Sequence, residues 1–258
     1  MRPDFAQYGF RYENRLIMAF IGGSQMHGAK IPESEDTDWY GVYVEPPEKI
    51  LGIDRDEHFI FTTGGGPGGG GPGGNGPQDT DVCLYSLQKF AHLACKGNPS
   101  VLHFLFCNEQ FMTPEWGRLS LNRNIFLAKG HLNQFLGFAN AQYLRLMGGA
   151  GQKNVHRQAL EQQFGYDTKY AMHVIRLYGE AIEFAETGVI TLPRPNAEEL
   201  IAIRRGKYTL GEIEEMGRDL ESKLMLARET TQLPNRIDRD KVSELLVGIY
   251  QMAWERKP

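Results

Sequence analysis

The sequence predicts an α/β (α+β) protein, with strands and turns leading into a long helical half. Three observations carry this reading. The front of the chain holds short apolar and β-branched runs separated by Gly and Pro. Beyond Pro99, apolar residues recur at spacings of three and four. Hydrophobic residues make up 41% and charged residues 23% of 258, enough apolar material for a real core.

Arg15–Gly22 (RLIMAFIG) reads as a buried strand. Trp39–Val44 (WYGVYV) reads as a second, ended by Pro46 and Pro47. Residues 57–63 suggest a third. The stretch 64–77 (GGGPGGGGPGGNGP) offers almost no side chains to pack and reads as a flexible insertion. It lacks the Gly-Lys-Ser/Thr ending of a phosphate-binding P-loop. Asp81–Tyr85 reads as a fourth strand, and Ser86 as the N-cap of a helix carrying Lys89, Phe90, Leu93 and Ala94. Gly97-Asn98-Pro99 closes that helix. The segments 99–107, 117–147, 152–164, 167–187, 196–204, 209–230 and 239–254 carry helical periodicity. Two domains are expected, residues 1–115 and residues 116–258.

Net charge is −4, which argues against a nucleic-acid coat protein. Residues 1–120 hold 9 Lys/Arg and 15 Asp/Glu, and residues 121–258 hold 19 and 17. An acidic front beside a mildly basic back suits a metal centre facing a groove for anions. Cys83, Cys95 and Cys107 form no CxxC pair and read as apolar filler in a reducing, cytoplasmic compartment. No apolar run reaches the roughly 18 residues of a membrane span, and residues 1–7 lack the apolar core of a signal peptide.

The chemistry concentrates in Ile21–Val42. A strand runs into Gly22-Gly23-Ser24, and eleven residues intervene before Asp36-Thr37-Asp38. Carboxylates at i and i+2 of a strand share a face. Like charges that close repel unless a cation sits between them, and Mg2+ (or Mn2+) suits carboxylate and phosphate oxygens. The Gly-Gly-Ser turn leaves N–H groups and a hydroxyl for a phosphate. Asp-x-Asp alone is common on solvated surfaces, and Gly-Gly-Ser alone is usually a turn. Their order and spacing between two apolar strands is the specific signal.

Gly22, Gly23, Ser24, Asp36 and Asp38 resemble the signature of the DNA polymerase beta nucleotidyltransferase superfamily. More narrowly, Gly23-Ser24, His27-Gly28, Ser34 through Asp38 and Gly41-Val42 resemble the RNA repair pathway polymerase-beta-like nucleotidyltransferases. Ser34 departs by one residue, since Glu35 separates it from Asp36. The likeness continues in Tyr85–Phe90, Gly97–Leu102, Tyr166–Leu177 and Ile203–Lys207. It departs at His103, where the family often has Glu. The resemblance implies a mixed catalytic sheet, a helical domain that completes the cleft, and a metal-dependent transfer of a nucleoside monophosphate from an NTP to an acceptor hydroxyl. It also implies RNA or tRNA ends as acceptors and an RNA ligase as neighbour. An AMP-adding modifier of a protein or small molecule shares the same centre. A catalytically idle nucleotide- or RNA-binding protein is the non-enzymatic alternative. A Rossmann enzyme is disfavoured, because Gly23–Gly28 lacks Gly-x-Gly-x-x-Gly.

The resemblance assigns catalysis and metal binding to Asp36 and Asp38, with a third carboxylate on a neighbouring strand. Asp81 is the choice for it. Asp79, two residues earlier, would share its face, and spacing does not decide between them. Gly23 and Ser24 are expected at the phosphates. Lys169, His173 and Arg176, spaced by four and three, share a helix face that suits a triphosphate or an RNA backbone, though such a face can equally be solvated. Lys89 is expected to reach a phosphate from its helix. Trp39, Tyr40 and Tyr43 read as core, with base stacking as the alternative.

Overall fold

A computed structural model describes residues 2–31, 36–63, 79–148 and 155–255. Ser34 and the glycine tract lie outside the described residues. The sheet takes its strands from β1 (Leu16–Ile21), β2 (Thr37–Tyr43), β3 (His58–Thr62), β4 (Thr80–Ser86) and β5 (Phe111–Met112), in the order β3-β4-β2-β1-β5. It is mixed: β2 and β4 run parallel, and the other neighbours are antiparallel. The helices are α1 (Gly23–Met26), α2 (Pro47–Leu51), α3 (Leu87–Cys95), α4 (Pro99–Leu102), α5 (Pro114–Leu121), α6 (Leu132–Leu146), α7 (Val155–Phe164), α8 (Thr168–Thr187), α9 (Ala197–Arg204), α10 (Leu210–Thr230) and α11 (Arg239–Glu255). The α+β class read from the sequence is the class observed.

The sheet is buried on both faces, and a register shift between Leu16 and Met18 interrupts the alternation of β1. On one face, Ile17, Met18, Phe20 and Val42 join Phe90, Trp116, Phe135, Phe184, Leu224 and Ile249 from the helices in the largest apolar cluster. On the other, Leu16, Ala19, Tyr43, Val82 and Leu84 meet Phe5 and Phe10 from the N-terminal segment. Gly41 is required where the strands meet, because a Cβ there would lie 2.6 Å from the Met18 carbonyl oxygen.

Three local expectations change. The segment 117–147 is not one helix: Asn122 ends α5, 3-10 turns span Arg123–Phe126 and Lys129–His131, and α6 begins at Leu132. Strand β5 has two residues, too few to show periodicity. The turn after β1 winds into the short α1. Ser86 caps α3 as read, its side chain accepting from the Lys89 N–H.

Glu45, just past β2, is buried at 2% exposure. Its carboxylate accepts from the backbone N–H groups of Leu87 (3.1 Å) and Gln88 (3.4 Å), the first residues of α3. It also accepts from the Tyr250 hydroxyl at 2.8 Å, and the Glu45 carbonyl accepts from Trp254 Nε1 at 2.8 Å. A negative charge at a helix N-terminus is favourable, so this carboxylate ties the end of β2 to the start of α3 and to α11.

The three cysteines are free, with Cys107 buried and the others half-buried, and burial pushes each thiol up from its ordinary pKa. Among the described residues, no helix is long and apolar enough to cross a membrane.

Candidate active site

The cavity of about 260 Å³ beside the C-terminal end of β1 is built from both halves of the chain. The first half lines it with Gly23, Ser24, Asp36, Asp38 and Tyr40, and the second with Lys169, His173, Arg176 and Arg204.

Asp38 is the second residue of β2, and Asp36 immediately precedes the strand. The Asp38 carbonyl accepts from the Gly22 N–H at 2.8 Å, which fixes the Gly-Gly-Ser turn against the strand. Gly23 has φ +58, and a Cβ there would lie 1.9 Å from Asp38 Oδ2. Only glycine allows both that conformation and that approach. Burial, then the negative charges of Asp36 and Asp81, push the Asp38 pKa up to about 6, while Lys169 and Lys30 pull the other way.

Asp81 sits directly beside Asp38 in the parallel β2–β4 ladder. Asp81 is outside the lining of the larger cavity; with Asp38, Tyr40, Ile60 and Thr62 it lines a neighbouring depression of about 190 Å³. Asp79 enters the ladder through its backbone, its carbonyl accepting from Thr37 N–H at 2.9 Å.

The basic face comes from α8. Asp167 caps that helix, accepting from the N–H groups of Lys169 (2.9 Å) and Tyr170 (3.0 Å), and from Arg157 Nη1 at 2.8 Å. Lys169 is exposed at the residue level but crowded within the cavity mouth. Desolvation, then repulsion from Arg157 and Arg204, lowers its pKa, against the pull of Asp36 and Asp38. One turn on, His173 Nδ1 is shut off from solvent without a hydrogen-bond partner, and burial holds the ring well below its ordinary pKa, hence neutral. Arg176 donates from Nη1 to Glu180 Oε1 at 2.8 Å. Its charge is therefore partly matched from within the protein.

Lys169, His173 and Arg176 thus face the carboxylates, as their spacing suggests. Lys89 does not join them. It stands in the first turn of α3, and its Nζ lies 2.6 Å from Glu57 Oε2, outside the cavity lining. Its place early in that helix left its direction open, and the ion pair fixes it outward.

The cavity lining includes residues that were not assigned to the site from the sequence, among them Arg204, Phe20, Phe104 and His103. Arg204, at the end of α9, donates to the Ala29 carbonyl at 3.0 Å and turns toward the site. Phe20 stacks on Tyr40 at 5.6 Å, and Phe104 meets Tyr40 edge-on at 5.9 Å, so Tyr40 presents an aromatic wall. His103 lies beside that wall. A basic doublet signalled Arg204. His103 was marked only as a departure from the family pattern, and Phe20 and Phe104 carried no signal beyond core periodicity.

A Gly-Gly-Ser turn locked onto strand aspartates, on a mixed sheet and facing a basic helix, has the layout of polymerase-beta-like nucleotidyltransferases. The chain belongs to the RNA repair pathway DNA polymerase beta family, whose family model matches residues 3–248. Among solved structures, it is similar to a nucleotidyltransferase-like protein from Exiguobacterium sibiricum, at 11% identity and a TM-score of 0.30, over 96% of this chain and 75% of that one. That likeness is too distant to assign anything. No curated protein matches the chain.

Proposed function

We propose that this protein moves a nucleoside monophosphate from an NTP to an acceptor hydroxyl, the acceptor being an RNA end. The observation that supports this best is Asp38: a strand carboxylate whose pKa is pushed up to about 6 by burial and by Asp36 and Asp81. At neutral pH this group is mostly ionised, and its charge beside Asp36 and Asp81 favours a cation among them. The donor set, three carboxylates, fits magnesium or manganese. When bound, such an ion neutralises phosphate charge and makes the acceptor hydroxyl more acidic.

The chain's own residues divide the remaining work. Asp36 and Asp38 would hold the ion, with Asp81 as the third carboxylate. The acceptor oxygen bonds to the α-phosphorus as the bond to pyrophosphate breaks, and Asp81 takes the acceptor proton in this reading. The Gly23 N–H and the Ser24 hydroxyl hold phosphate oxygens. Lys169, with Arg204 behind it, offsets charge gathering on the departing pyrophosphate. Neutral His173 donates or accepts a hydrogen bond without adding charge. Tyr40 offers its ring to the base. In this division residues 1–115 bring the carboxylates, and residues 116–258 close the cleft with the cations.

The test incubates the purified protein with each NTP, labelled at the α-phosphate, plus magnesium, with and without RNA of defined 3′ ends. Label on RNA that vanishes in Asp38→Asn carries the proposal. Label on protein or on a small molecule replaces the RNA acceptor and keeps the chemistry. No transfer to any acceptor, with nucleotide still bound, overturns the enzymatic reading.

A further inference from the structure

We propose that His27, His103 and Glu180 form a second metal site, of the zinc class, separate from the aspartates and set in the wall of the same cavity. The three residues come from separate parts of the chain: the C-cap of α1, the turn after α4 and the middle of α8. Their exposures are 8%, 3% and 0%. Their ligand atoms all lie within 4.8 Å of one another. His103 Nε2 is 3.1 Å from Glu180 Oε2, and His27 Nδ1 is 3.4 Å from Glu180 Oε1. A tetrahedron with zinc–nitrogen bonds of about 2.0–2.1 Å has edges of about 3.3 Å. The edge from His103 to Glu180 Oε2 therefore already has the span a shared ion requires, and the remaining edges lie within 4.8 Å.

Beside the His103–Glu180 and Arg176–Glu180 hydrogen bonds, one nitrogen of the cluster stays outside the network. His27 Nδ1 is buried and makes no hydrogen bond, although a carboxylate oxygen stands 3.4 Å away. A donor N–H aimed at that oxygen would have closed the bond, so the geometry suits a lone pair turned toward a common point. Two nitrogens and one oxygen select zinc or a similar borderline ion over magnesium, which prefers oxygen alone.

Arg176 is the group that opposes a cation here, and its position limits that opposition. It donates to Glu180 Oε1, leaving Oε2 to the ion. A hydrogen-bonded partner behind a ligating carboxylate is the usual outer shell of a metal site. Three protein ligands leave a fourth coordination position. His27, His103 and Arg176 all line the cavity, so that position opens toward it and takes water or an anionic oxygen.

The experiment titrates the metal-free full chain with Co2+ as spectroscopic probe and then with Zn2+. The expected result is stoichiometric Co2+ with the intense visible bands of a tetrahedral site, displaced by Zn2+. His103→Gln and His27→Gln should each weaken Zn2+ by at least the roughly 10–100-fold that loss of an outer-shell partner costs. The Asp36→Asn/Asp38→Asn double variant should keep the bands. Circular dichroism checks that each variant folds. Tetrahedral bands absent from the wild type overturn the proposal whatever the variants do. Bands lost in the aspartate variant but kept in His103→Gln overturn it too, by moving the ion to the other site. Neither result touches nucleotidyl transfer, which is read from label on the acceptor.

Discussion

At the scale of single residues, Asp38 and Gly23 work as one unit. Asp38 has its pKa raised from 3.8 to about 6 in the folded chain. An acid with a raised folded pKa leaves stability intact below pH 3.8 and costs stability as pH climbs through about 6. Without divalent ions, thermal stability should therefore drop across that interval. Magnesium should restore it above pH 6, and Asp38→Asn should flatten the profile. Thermal unfolding at several pH values, with and without magnesium, checks all three. Gly23→Ala places a methyl 1.9 Å from Asp38 Oδ2 at a positive φ. It should fold, yet lose about 100-fold in turnover, since an ångström of displacement in a reacting constellation costs that much. The aspartates and the Gly-Ser turn were legible because the chemistry is written locally, as two carboxylates one residue apart between apolar strands. His103 and Glu180 were not, because 77 residues separate them and only the fold brings them to 3.1 Å.

Among the elements, α8 carries the cationic side of the cleft. Its N-cap Asp167 satisfies two orphan amides and pairs with Arg157. Asp167→Ala should cost about 1–2 kcal/mol of stability through the lost cap, measured by chemical denaturation, and should blunt activity by loosening Lys169. Lys169→Ala should leave stability nearly unchanged and reduce turnover by about 100-fold, the typical effect of one lost charge-stabilising donor. Steady-state kinetics separates these two effects. The helix itself was readable from its periodicity, as was the Ser86 cap of α3. The break inside 117–147 was not. Apolar spacing continues through Asn122–His131 because those residues pack on the core as 3-10 turns, and periodicity alone does not tell a turn of one helix from the next.

Across the whole molecule, the largest apolar cluster joins β1 and β2 to α3, α6, α8, α10 and α11. The sheet's helical cover is thus supplied mainly by residues far along the chain. Unfolding followed by circular dichroism and by tryptophan fluorescence should therefore coincide, with Trp39 reporting from the sheet and Trp254 from α11. Two separated transitions would show that the halves melt independently. The class of fold was legible at this scale because strand and helix patterns segregate along the sequence. Strand order was not, since β2 pairs in parallel with β4 and leaves β3 on the edge, an arrangement that period-two alternation does not encode.

The Glu45 contacts bear on how the chain matures during synthesis. Its carboxylate is buried where β2 ends, yet one of its partners is Tyr250, 205 positions later. While the ribosome is still adding the intervening residues, this anion has at most the two α3 amides for company and must stay hydrated. The front of the sheet therefore cannot reach its finished packing on the nascent chain. A released chain lacking residues 239–255 should stay prone to proteolysis around residues 44–57, even though every residue of the proposed catalytic constellation is present in it.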